Sequence, residues 1–319
     1  MALRRSGTSL IIRERTHTLA LVITDVTNPF WTTVARGAED KAVENGLSVI
    51  LCNTDEDPEK EESYIDVLLQ KRVDGVVIAP VSSNVSNLRS LSQQGIPYVV
   101  VDRRVEGMDT DLVIGDSVGG AYELTKHLIE LGHRRIGIIA GPEQVSTAED
   151  RLAGYLKALE EFDIPVDEAL IKRGKFDQGS GYELTKELLE LETRPTALFA
   201  GNNFIAIGAL TALRERGIEV PDEMALVTFD EIPQLSAVYP FLTVAAQPAY
   251  DMGTIATELL LERLDGEREG NREVVLETEL ILRRSSGAPV RLHPITCAQS
   301  GAGRHGRTGG EVGLDVATS

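Results

Sequence analysis

Residues 18–31 have the sequence TLALVITDVTNPFW. The apolar, β-branched run at residues 19–23 predicts a buried strand. Asn28 followed by Pro29 predicts the start of a helix, because asparagine caps helices and proline is favoured at the first helical position. A strand that leads directly into a helix is the unit from which parallel sheets with crossover helices are built. This stretch therefore predicts an α/β fold.

The same alternation of short apolar runs and longer segments of helical period continues along the chain in two series. The first series of predicted strands occupies residues 19–23, 47–51, 75–79, 98–101 and 112–114, and the second occupies residues 136–140, the stretch around 170–171, 197–200 and 224–227, with a final strand near 273–282. Helix boundaries are indicated by Asp57 before Pro58 and by Gly217 after residues 205–216. We expect two doubly wound parallel-sheet lobes of similar build.

The composition is that of a globular protein with two lobes or domains. The chain has 319 residues, of which 42% are hydrophobic and 26% charged, and this length exceeds what one hydrophobic core usually organises. Its two cysteines, Cys52 and Cys297, give neither a disulfide framework nor a metal-ligand cluster, so we expect no metal and no cofactor. The N-terminal residues lack the apolar run of a secretory signal, and no stretch reaches the length of a membrane span. We therefore expect a cytoplasmic protein with no membrane partner.

The net charge of −18 is unevenly distributed. Residues 1–16 carry four arginines and one glutamate, and residues 283–319 carry five arginines against Glu311 and Asp315. Each terminal segment is thus +3, which leaves −24 on residues 17–282. Nucleic-acid phosphates repel a body with this charge, because binding to them depends on lysine and arginine displacing counterions. We expect any contact with DNA to be made outside residues 17–282.

Polar and aromatic side chains are concentrated just after the predicted strands. In open parallel sheets ligands bind beyond the carboxyl ends of the strands, so these positions predict a binding site. The candidate ligand-binding residues are Asn28, Phe30, Trp31, Asp102, Arg103, Arg151, Phe176, Asn202, Asp230 and Gln247. Aromatic rings can lie against the C–H faces of a sugar, while carboxylate, amide and guanidinium groups bind adjacent hydroxyls in pairs. The two carboxylates and two arginines nearly balance in charge, which favours a neutral polyol over a phosphorylated ligand.

Each candidate also has a purely structural interpretation. Asn28 and Gln247 could cap the helices that follow them, and the aromatic residues could belong to the core. Asp102 and Asp230 could be turn residues, which is the commoner use of an aspartate after a strand. Arg151 could form a surface ion pair. The binding interpretation depends on the number of independent positions that fall at one edge of the predicted sheets.

Four motifs give the chain a close resemblance to a known family. They are TDVTNPFW at residues 24–31, RVDGVV at 72–77, LGHRRI at 131–136 and VTFD at 227–230. The combination resembles the LacI/GalR family of transcriptional regulators over about residues 16–284. This resemblance implies the type I periplasmic binding protein-like fold, in which two doubly wound lobes are joined by a multi-strand hinge. It also implies a homodimer formed through this core, with a small-molecule sugar as the effector.

The resemblance extends to the positions that contact ligand in ribose-binding members of the wider fold. All ten candidate residues match by position, which implies ribose or a related small monosaccharide. The family usually has aspartate directly after Asn202, whereas this chain has Asn203. Members normally begin with a helix-turn-helix and a hinge helix that contact operator DNA, and residues 1–5, MALRR, resemble only the end of such a hinge helix. We expect operator DNA to be bound only through an N-terminal domain missing from this sequence.

These considerations divide the chain into four parts. We expect residues 1–16 to be a hinge-helix remnant or linker. The N-terminal lobe is expected to comprise residues 17–133 plus 248–272, and the C-terminal lobe residues 134–247 plus 273–284. Residues 285–319 are rich in glycine, serine and arginine and show no periodicity, so we expect a disordered tail there.

Two other classes of function stay open as alternatives. A sugar-binding protein of a transport or sensing system would share this fold, but a transport protein would need an export signal. An enzyme is disfavoured because the sequence has no nucleophile elbow, P-loop or zinc-binding histidine pair, and its aspartates and arginines have no general-base partner such as a nearby histidine. We therefore expect a regulator that is not an enzyme.

Overall fold

Two six-stranded sheets with helices packed on them form the fold. The computed structural model describes residues 15–82, 86–105, 107–108, 110–143, 145–266 and 270–287. The strands are β1 (Thr18–Ile23), β2 (Ser48–Asn53), β3 (Gly75–Ile78), β4 (Tyr98–Val101), β5 (Asp111–Gly115), β6 (Ile136–Ala140), β7 (Ile171–Arg173), β8 (Ala197–Ala200), β9 (Ala225–Phe229), β10 (Thr243–Ala246), β11 (Glu273–Leu276) and β12 (Glu279–Ile281). The helices are α1 (Pro29–Glu44), α2 (Pro58–Lys71), α3 (Ser86–Gln93), α4 (Ser117–Glu130), α5 (Ser146–Glu161), α6 (Gln178–Leu189), α7 (Asn203–Glu215), α8 (Pro233–Val238) and α9 (Ala249–Asp265), with short 3-10 helices at Glu168–Leu170 and Arg284–Ser286.

Both sheets are dominated by parallel pairing. The first has the spatial order β11-β5-β4-β3-β1-β2, and all of its strand pairs are parallel. The second has the order β12-β10-β9-β8-β6-β7, in which β12 is antiparallel to β10 and the other pairs are parallel. The predicted α/β class with two parallel sheets is therefore confirmed.

The apolar runs form strands because both faces of each sheet are covered. Every residue of β3, β4 and β8 is buried, as expected for parallel strands that have helices on both sides. In β1, Leu19 and Leu21 belong to the core beneath α1 and α9, while Ala20 and Val22 belong to the core on the opposite face. Successive side chains thus point to opposite faces, as strand geometry requires.

Two details of the predicted strands are wrong. The single strand expected near residues 273–282 consists of two strands, β11 and β12, which lie in different sheets. Strand β10 was not predicted, and its sequence TVAA is short and contains small residues, so the periodicity signal is weak. Pairing with β9 and β12 forms this strand in the second sheet.

The expected lobe boundaries are also wrong at two places. Helix α4 was assigned to the N-terminal lobe within residues 17–133, but its apolar residues Ala121, Leu124 and Leu128 pack in the core of the second sheet. Strand β11 was assigned to the C-terminal lobe, but it pairs with β5 in the first sheet. An amphipathic helix after a strand carries no local signal of which sheet it covers, so sequence pattern placed α4 with the preceding strand.

The chain passes between the two lobes three times. The crossings lie between β5 and α4, between β10 and α9, and between β11 and β12. These three connections form a multi-strand hinge. Because only the connections need to bend, the two lobes can rotate relative to each other without breaking either core.

The ordered chain continues into the segment expected to be a disordered tail. Ser285 and Ser286 are buried, at 0% and 1% exposure. The Ser285 hydroxyl donates to the Leu226 carbonyl at 2.6 Å and accepts from the Thr243 backbone N–H at 2.9 Å. The prediction is therefore wrong at these residues, because buried hydrogen bonds tie them to β9 and β10. Residues 1–14 of the expected linker and residues 288–319 of the expected tail lie outside the described residues.

Among the described residues, no helix has both the length and the apolar composition needed to cross a membrane.

Candidate ligand-binding site

A cavity between the two lobes brings together nine of the ten predicted ligand-binding residues. Its lining consists of Thr24, Asp25, Asn28, Phe30, Trp31, Glu56, Asp102, Arg103, Thr147, Arg151, Phe176, Asn202 and Asp230. The tenth, Gln247, lies beside the cavity, where its Nε2 donates to Asp230 Oδ1 at 2.8 Å. Both sheets therefore present the carboxyl ends of their strands to one cleft, the arrangement expected of open parallel sheets.

Helix α1 places three of these residues at its first turn. Asn28 caps the helix, because its Oδ1 accepts from the Phe30 backbone N–H at 3.0 Å. The rings of Phe30 and Trp31 meet edge to face with centroids 4.8 Å apart, and both belong to the core of the first lobe. Asn28 thus both caps α1 and lines the cavity, while Phe30 and Trp31 both pack in the core and line the cavity.

The turn after β4 places Asp102 and Arg103 at the cavity. Asp102 has a left-handed backbone with φ +68°, which aspartate tolerates better than most residues, and its N–H donates to the Val113 carbonyl at 2.8 Å. Arg103 donates to Glu56 Oε2 and Oε1 at 2.8 and 2.5 Å and to the Pro80 carbonyl at 3.1 Å. This forked ion pair fixes the orientation of the guanidinium plane.

The second lobe contributes a guanidinium held against aromatic rings. Arg151 donates to the Gly201 carbonyl at 2.7 Å, and its Nη2 lies 3.6 Å from Asp230 Oδ2. Its guanidinium carbon lies 4.0 Å from the centroid of the Phe229 ring, within the range of a cation–π contact. At 3% exposure Arg151 is not a surface ion pair.

Phe176 completes the aromatic lining from the second lobe. Its ring approaches Gly141 so closely that a Cβ on that residue would lie 2.2 Å from a ring carbon. Asn202 caps α7 by accepting from the Ile205 N–H at 2.9 Å, and its Nδ2 donates to the Phe176 carbonyl at 3.5 Å. Glycine at position 141 is therefore required by the position of this ring.

Burial shifts the ionisation of the acidic groups. The pKa of Asp102 is raised from 3.8 to about 6 because burial disfavours the carboxylate, although Arg103 and Arg151 oppose the shift. Burial also raises the pKa of Asp230, against the attraction of Arg151 and the hydrogen bond from Gln247. For Arg103, burial lowers the pKa, but the charge and hydrogen bonds of Glu56 outweigh it, so the net shift is upward.

Several buried polar atoms at the cavity have no hydrogen-bond partner within the described residues. Four belong to lining residues, namely Thr24 Oγ1, Asp102 Oδ1, Arg103 Nε and Arg151 Nε, and a fifth is Oε1 of the adjacent Gln247. A buried donor or acceptor without a partner costs about 1–3 kcal/mol, so each of these atoms calls for a partner from outside the chain, either a ligand group or water. The set contains both donors and acceptors, as recognition of hydroxyl groups requires.

Sequence reasoning missed four lining residues, Thr24, Asp25, Glu56 and Thr147. Thr24 and Asp25 directly follow β1, so the rule that selected residues after strands applies to them as well. Glu56 follows β2 within an acidic turn and carries no local sign that it pairs with Arg103. By contrast, Asp116, which follows β5, caps α4 through Gly119 and does not appear among the described lining residues.

No group of three or more histidine, cysteine, aspartate or glutamate residues in the described part of the chain could hold a metal ion. Cys52 is buried, and burial raises the pKa of its thiol to about 11. A thiol that stays protonated at neutral pH is a poor nucleophile and metal ligand. The described lining of the cavity, which does not include Cys52, consists of hydrogen-bonding groups and aromatic rings.

Comparison with known proteins finds relatives over most of the chain. Residues 16–284 match the family model described as periplasmic binding proteins and sugar binding domain of LacI family. The HTH-type transcriptional regulator DegA of Bacillus subtilis (strain 168) is 36% identical over 276 residues, which cover 86% of this chain and 82% of DegA. The HTH-type transcriptional repressor PurR of Actinobacillus pleuropneumoniae serotype 3 is 35% identical over 272 residues, which cover 85% of this chain and 81% of PurR.

A solved structure resembles the whole fold. It is a LacI family transcriptional regulator from Enterococcus faecium with bound ribose, to which this chain is similar with a TM-score of 0.77 and 32% identity. The similarity covers 86% of this chain and 100% of that one. Expectations about fold and family thus agree with comparisons of both sequence and structure.

Proposed function

The chain belongs to the LacI family of transcriptional regulators, in whose effector-binding core residues 16–284 lie, and we propose that its effector is ribose or a related small, neutral monosaccharide. One observation carries this proposal. Four buried polar atoms have no partner among the described residues, namely a hydroxyl, a carboxylate oxygen and two guanidinium N–H groups, and they line a cavity whose remaining walls include three aromatic side chains. A compact polyol has the matching chemistry, with hydroxyls at its rim and C–H groups on its faces.

The charges of the lining favour a neutral ligand. Arg103 and Arg151 are the cationic residues of the described lining, and they face four acidic residues, Asp25, Glu56, Asp102 and Asp230. Glu56 already pairs with Arg103, and Asp230 lies beside Arg151. A phosphorylated sugar would bring further negative charge to a site without a free cation in the described lining. We therefore propose that the site rejects sugar phosphates.

Binding in this cleft supports a regulatory mechanism. Because the lining comes from both lobes, a sugar that contacts Asp102 and Arg151 together favours the closed arrangement of the lobes. A change of lobe angle in a dimer alters how attached DNA-binding domains are presented, which is how a ligand in this core changes operator binding. No step of this mechanism needs chemistry on the sugar, so we propose that the chain is not an enzyme. A regulator of this kind acts in the cytoplasm, where the DNA is.

We propose that the core forms a homodimer through a surface that includes the edge strand β2. Ile50 and Leu51 on this strand are 41% and 44% exposed, and Val67 on the neighbouring α2 is 44% exposed. An exposed apolar edge strand pairs readily with another chain unless it is covered. Sedimentation velocity should give a dimer that Ile50→Asp dissociates, whereas Val166→Asp, at another exposed apolar residue, leaves it intact. Equal dimerisation of both variants would refute this interface.

Thermal unfolding against a panel of sugars tests the effector. A ligand that binds only the folded state raises the melting temperature by mass action, so ribose should raise it, whereas ribose 5-phosphate and the disaccharide cellobiose should not. The rise should disappear in Arg151→Ala and persist in the matched variant Arg216→Ala, whose side chain forms an exposed ion pair with Glu190. No rise with any monosaccharide, in a protein that melts cooperatively, would refute the proposed effector class.

The alternative function is a sugar-binding protein of a transport or sensing system. The relatives described above are transcriptional regulators, which favours the first proposal. Fusion of residues 15–319 to the DNA-binding domain of such a relative, with operator binding measured with and without ribose, separates the two. A regulator core should make the affinity for operator depend on the sugar, whereas a transport protein gives no such dependence.

A further inference from the structure

Two buried asparagines form a reciprocal pair of hydrogen bonds across the cleft. Asn28 Nδ2 donates to Asn203 Oδ1 at 3.1 Å, and Asn203 Nδ2 donates to Asn28 Oδ1 at 3.0 Å. Asn28 caps α1 of the first lobe, and Asn203 is the first residue of α7 in the second. Their exposures are 6% and 0%. We call these two residues the amide pair.

Neighbouring backbone groups determine which atom of each amide is oxygen. The Phe30 N–H donates to Asn28 Oδ1 at 3.0 Å, so that atom must be the acceptor. Asn203 Nδ2 lies 3.4 Å from the Glu231 carbonyl oxygen. Because a carbonyl oxygen can only accept, the Asn203 atom that faces it must be the amide nitrogen. With both orientations fixed in this way, the two bonds between the amides can only run as described.

We propose that Asn203 is a positioning residue that holds the lobes closed and orients Asn28 for the ligand. Asn203 does not appear among the described residues that line the cavity, so its effect on a ligand passes through Asn28 and through closure. Asn28 Oδ1 accepts two hydrogen bonds, and its Nδ2 uses one hydrogen for Asn203. One N–H of Asn28 is therefore left to donate to a sugar hydroxyl.

The amide pair biases the lobes toward closure before any ligand is bound. Its two hydrogen bonds exist only when α1 and α7 are close together. When the cleft opens, both amides exchange these bonds for hydrogen bonds to water. Each such hydrogen bond contributes a modest net free energy to the closed arrangement. The apparent affinity for a ligand that binds the closed arrangement changes in proportion to the fraction of molecules that are closed. Contacts of Arg104 with the second lobe differ in kind. The Arg104 N–H donates to Ser146 Oγ at 2.8 Å, and the Arg104 side chain, which pairs with Asp150, is 41% exposed. Salt weakens that exposed pair more than the buried, uncharged amides.

Aspartate is the residue that the family usually has at position 203, and with Asn28 oriented as it is in this chain it would keep the size of asparagine but supply no donor. Its second carboxylate oxygen would face Asn28 Oδ1 and the Glu231 carbonyl, both of which are acceptors. Two favourable contacts thus become repulsive. Because a buried carboxylate can also destabilise the lobe itself, Asn203→Ala serves as a second variant that removes the amide without adding charge.

Distances between spin labels on the two lobes report closure without any ligand. Labels at Thr32→Cys on α1 and Gln178→Cys on α6, in a Cys297→Ser background, avoid the buried Cys52. We expect both Asn203 variants to shift the distance distribution of the sugar-free protein toward longer values. Asn45→Asp, which makes the same chemical change at the far end of α1, should leave the distribution unchanged.

Ribose affinity is the second measurement, and it alone depends on the proposed function. Asn203→Ala should weaken ribose binding about tenfold, and Asn203→Asp at least as much, while Asn45→Asp binds as the unmodified chain does. Longer distances in a protein that binds no sugar would support the role of the amide pair in closure and refute the proposed effector. Unchanged distances and affinity in a folded Asn203→Ala variant would overturn the inference.

Discussion

Replacing Asp102 with asparagine should stabilise the free protein and weaken its binding of sugar. The side chain is buried at the cavity, and its Oδ1 has no partner among the described residues. Asparagine has the same shape and accepts the left-handed backbone that φ +68° imposes at this position. The substitution therefore removes one ionisation and changes little else.

The magnitude follows from the pKa of this carboxyl. Burial raises it from 3.8 to about 6, so folding favours the protonated form. That contribution to stability is fully present below pH 3.8 and is lost as the pH rises through about 6. A shift of about two pKa units corresponds to about 3 kcal/mol, which Asp102→Asn should restore at pH 8. For a chain of this size the gain corresponds to about 5 °C in melting temperature.

Thermal melts of both proteins from pH 4 to pH 8.5, without sugar, measure this difference. The advantage of Asp102→Asn should be near zero at pH 4 and grow through pH 6. The matched control is Asp163→Asn, because Asp163 also has a positive φ, +53°, but is exposed. A difference that is the same at every pH would refute the assignment of the penalty to Asp102. Added ribose should raise the melting temperature of the variant less than that of the unmodified chain, since asparagine supplies one acceptor fewer.

Three further substitutions test separate parts of the structure. Gly141→Ala should displace the Phe176 ring and weaken ribose binding about tenfold by calorimetry, because a Cβ would lie 2.2 Å from a ring carbon; unchanged affinity would contradict the placement of that ring in the site. Glu56→Gln should lower the free energy of unfolding in urea by about 2 kcal/mol, because Arg103 loses a charged, forked partner, and a change below a few tenths would show that the pair is screened by solvent. Ser285→Ala should cost about 2 kcal/mol in the same assay by leaving the Thr243 N–H without its acceptor, whereas a neutral result would restore the view that this segment is a tail.

The strand-end rule located most of the site from sequence. Asp102 and Asp230 stand directly after β4 and β9, and Asn28 lies in the turn between β1 and α1. Parallel strands bring such positions to one edge whatever the length of the loops between them. The residue types at these positions also predicted the class of ligand, because aromatic rings together with carboxylates, amides and guanidinium groups suit a polyol. The structural interpretation of Asn28 as a helix cap proved compatible with a place in the cavity, since one side chain can do both.

Tertiary structure alone decided which elements and side chains meet. The amide pair joins residues 175 positions apart, and the Arg103–Glu56 ion pair joins residues 47 apart. The sheet that α4 covers and the sheet that β11 joins were decided in the same way. Periodicity and capping residues act through neighbours within about one or two turns of chain, so they determine where strands and helices begin and what chemistry follows them. Contacts between distant segments depend on how buried faces and unpaired polar groups are satisfied in the packed molecule, and no local pattern encodes that choice.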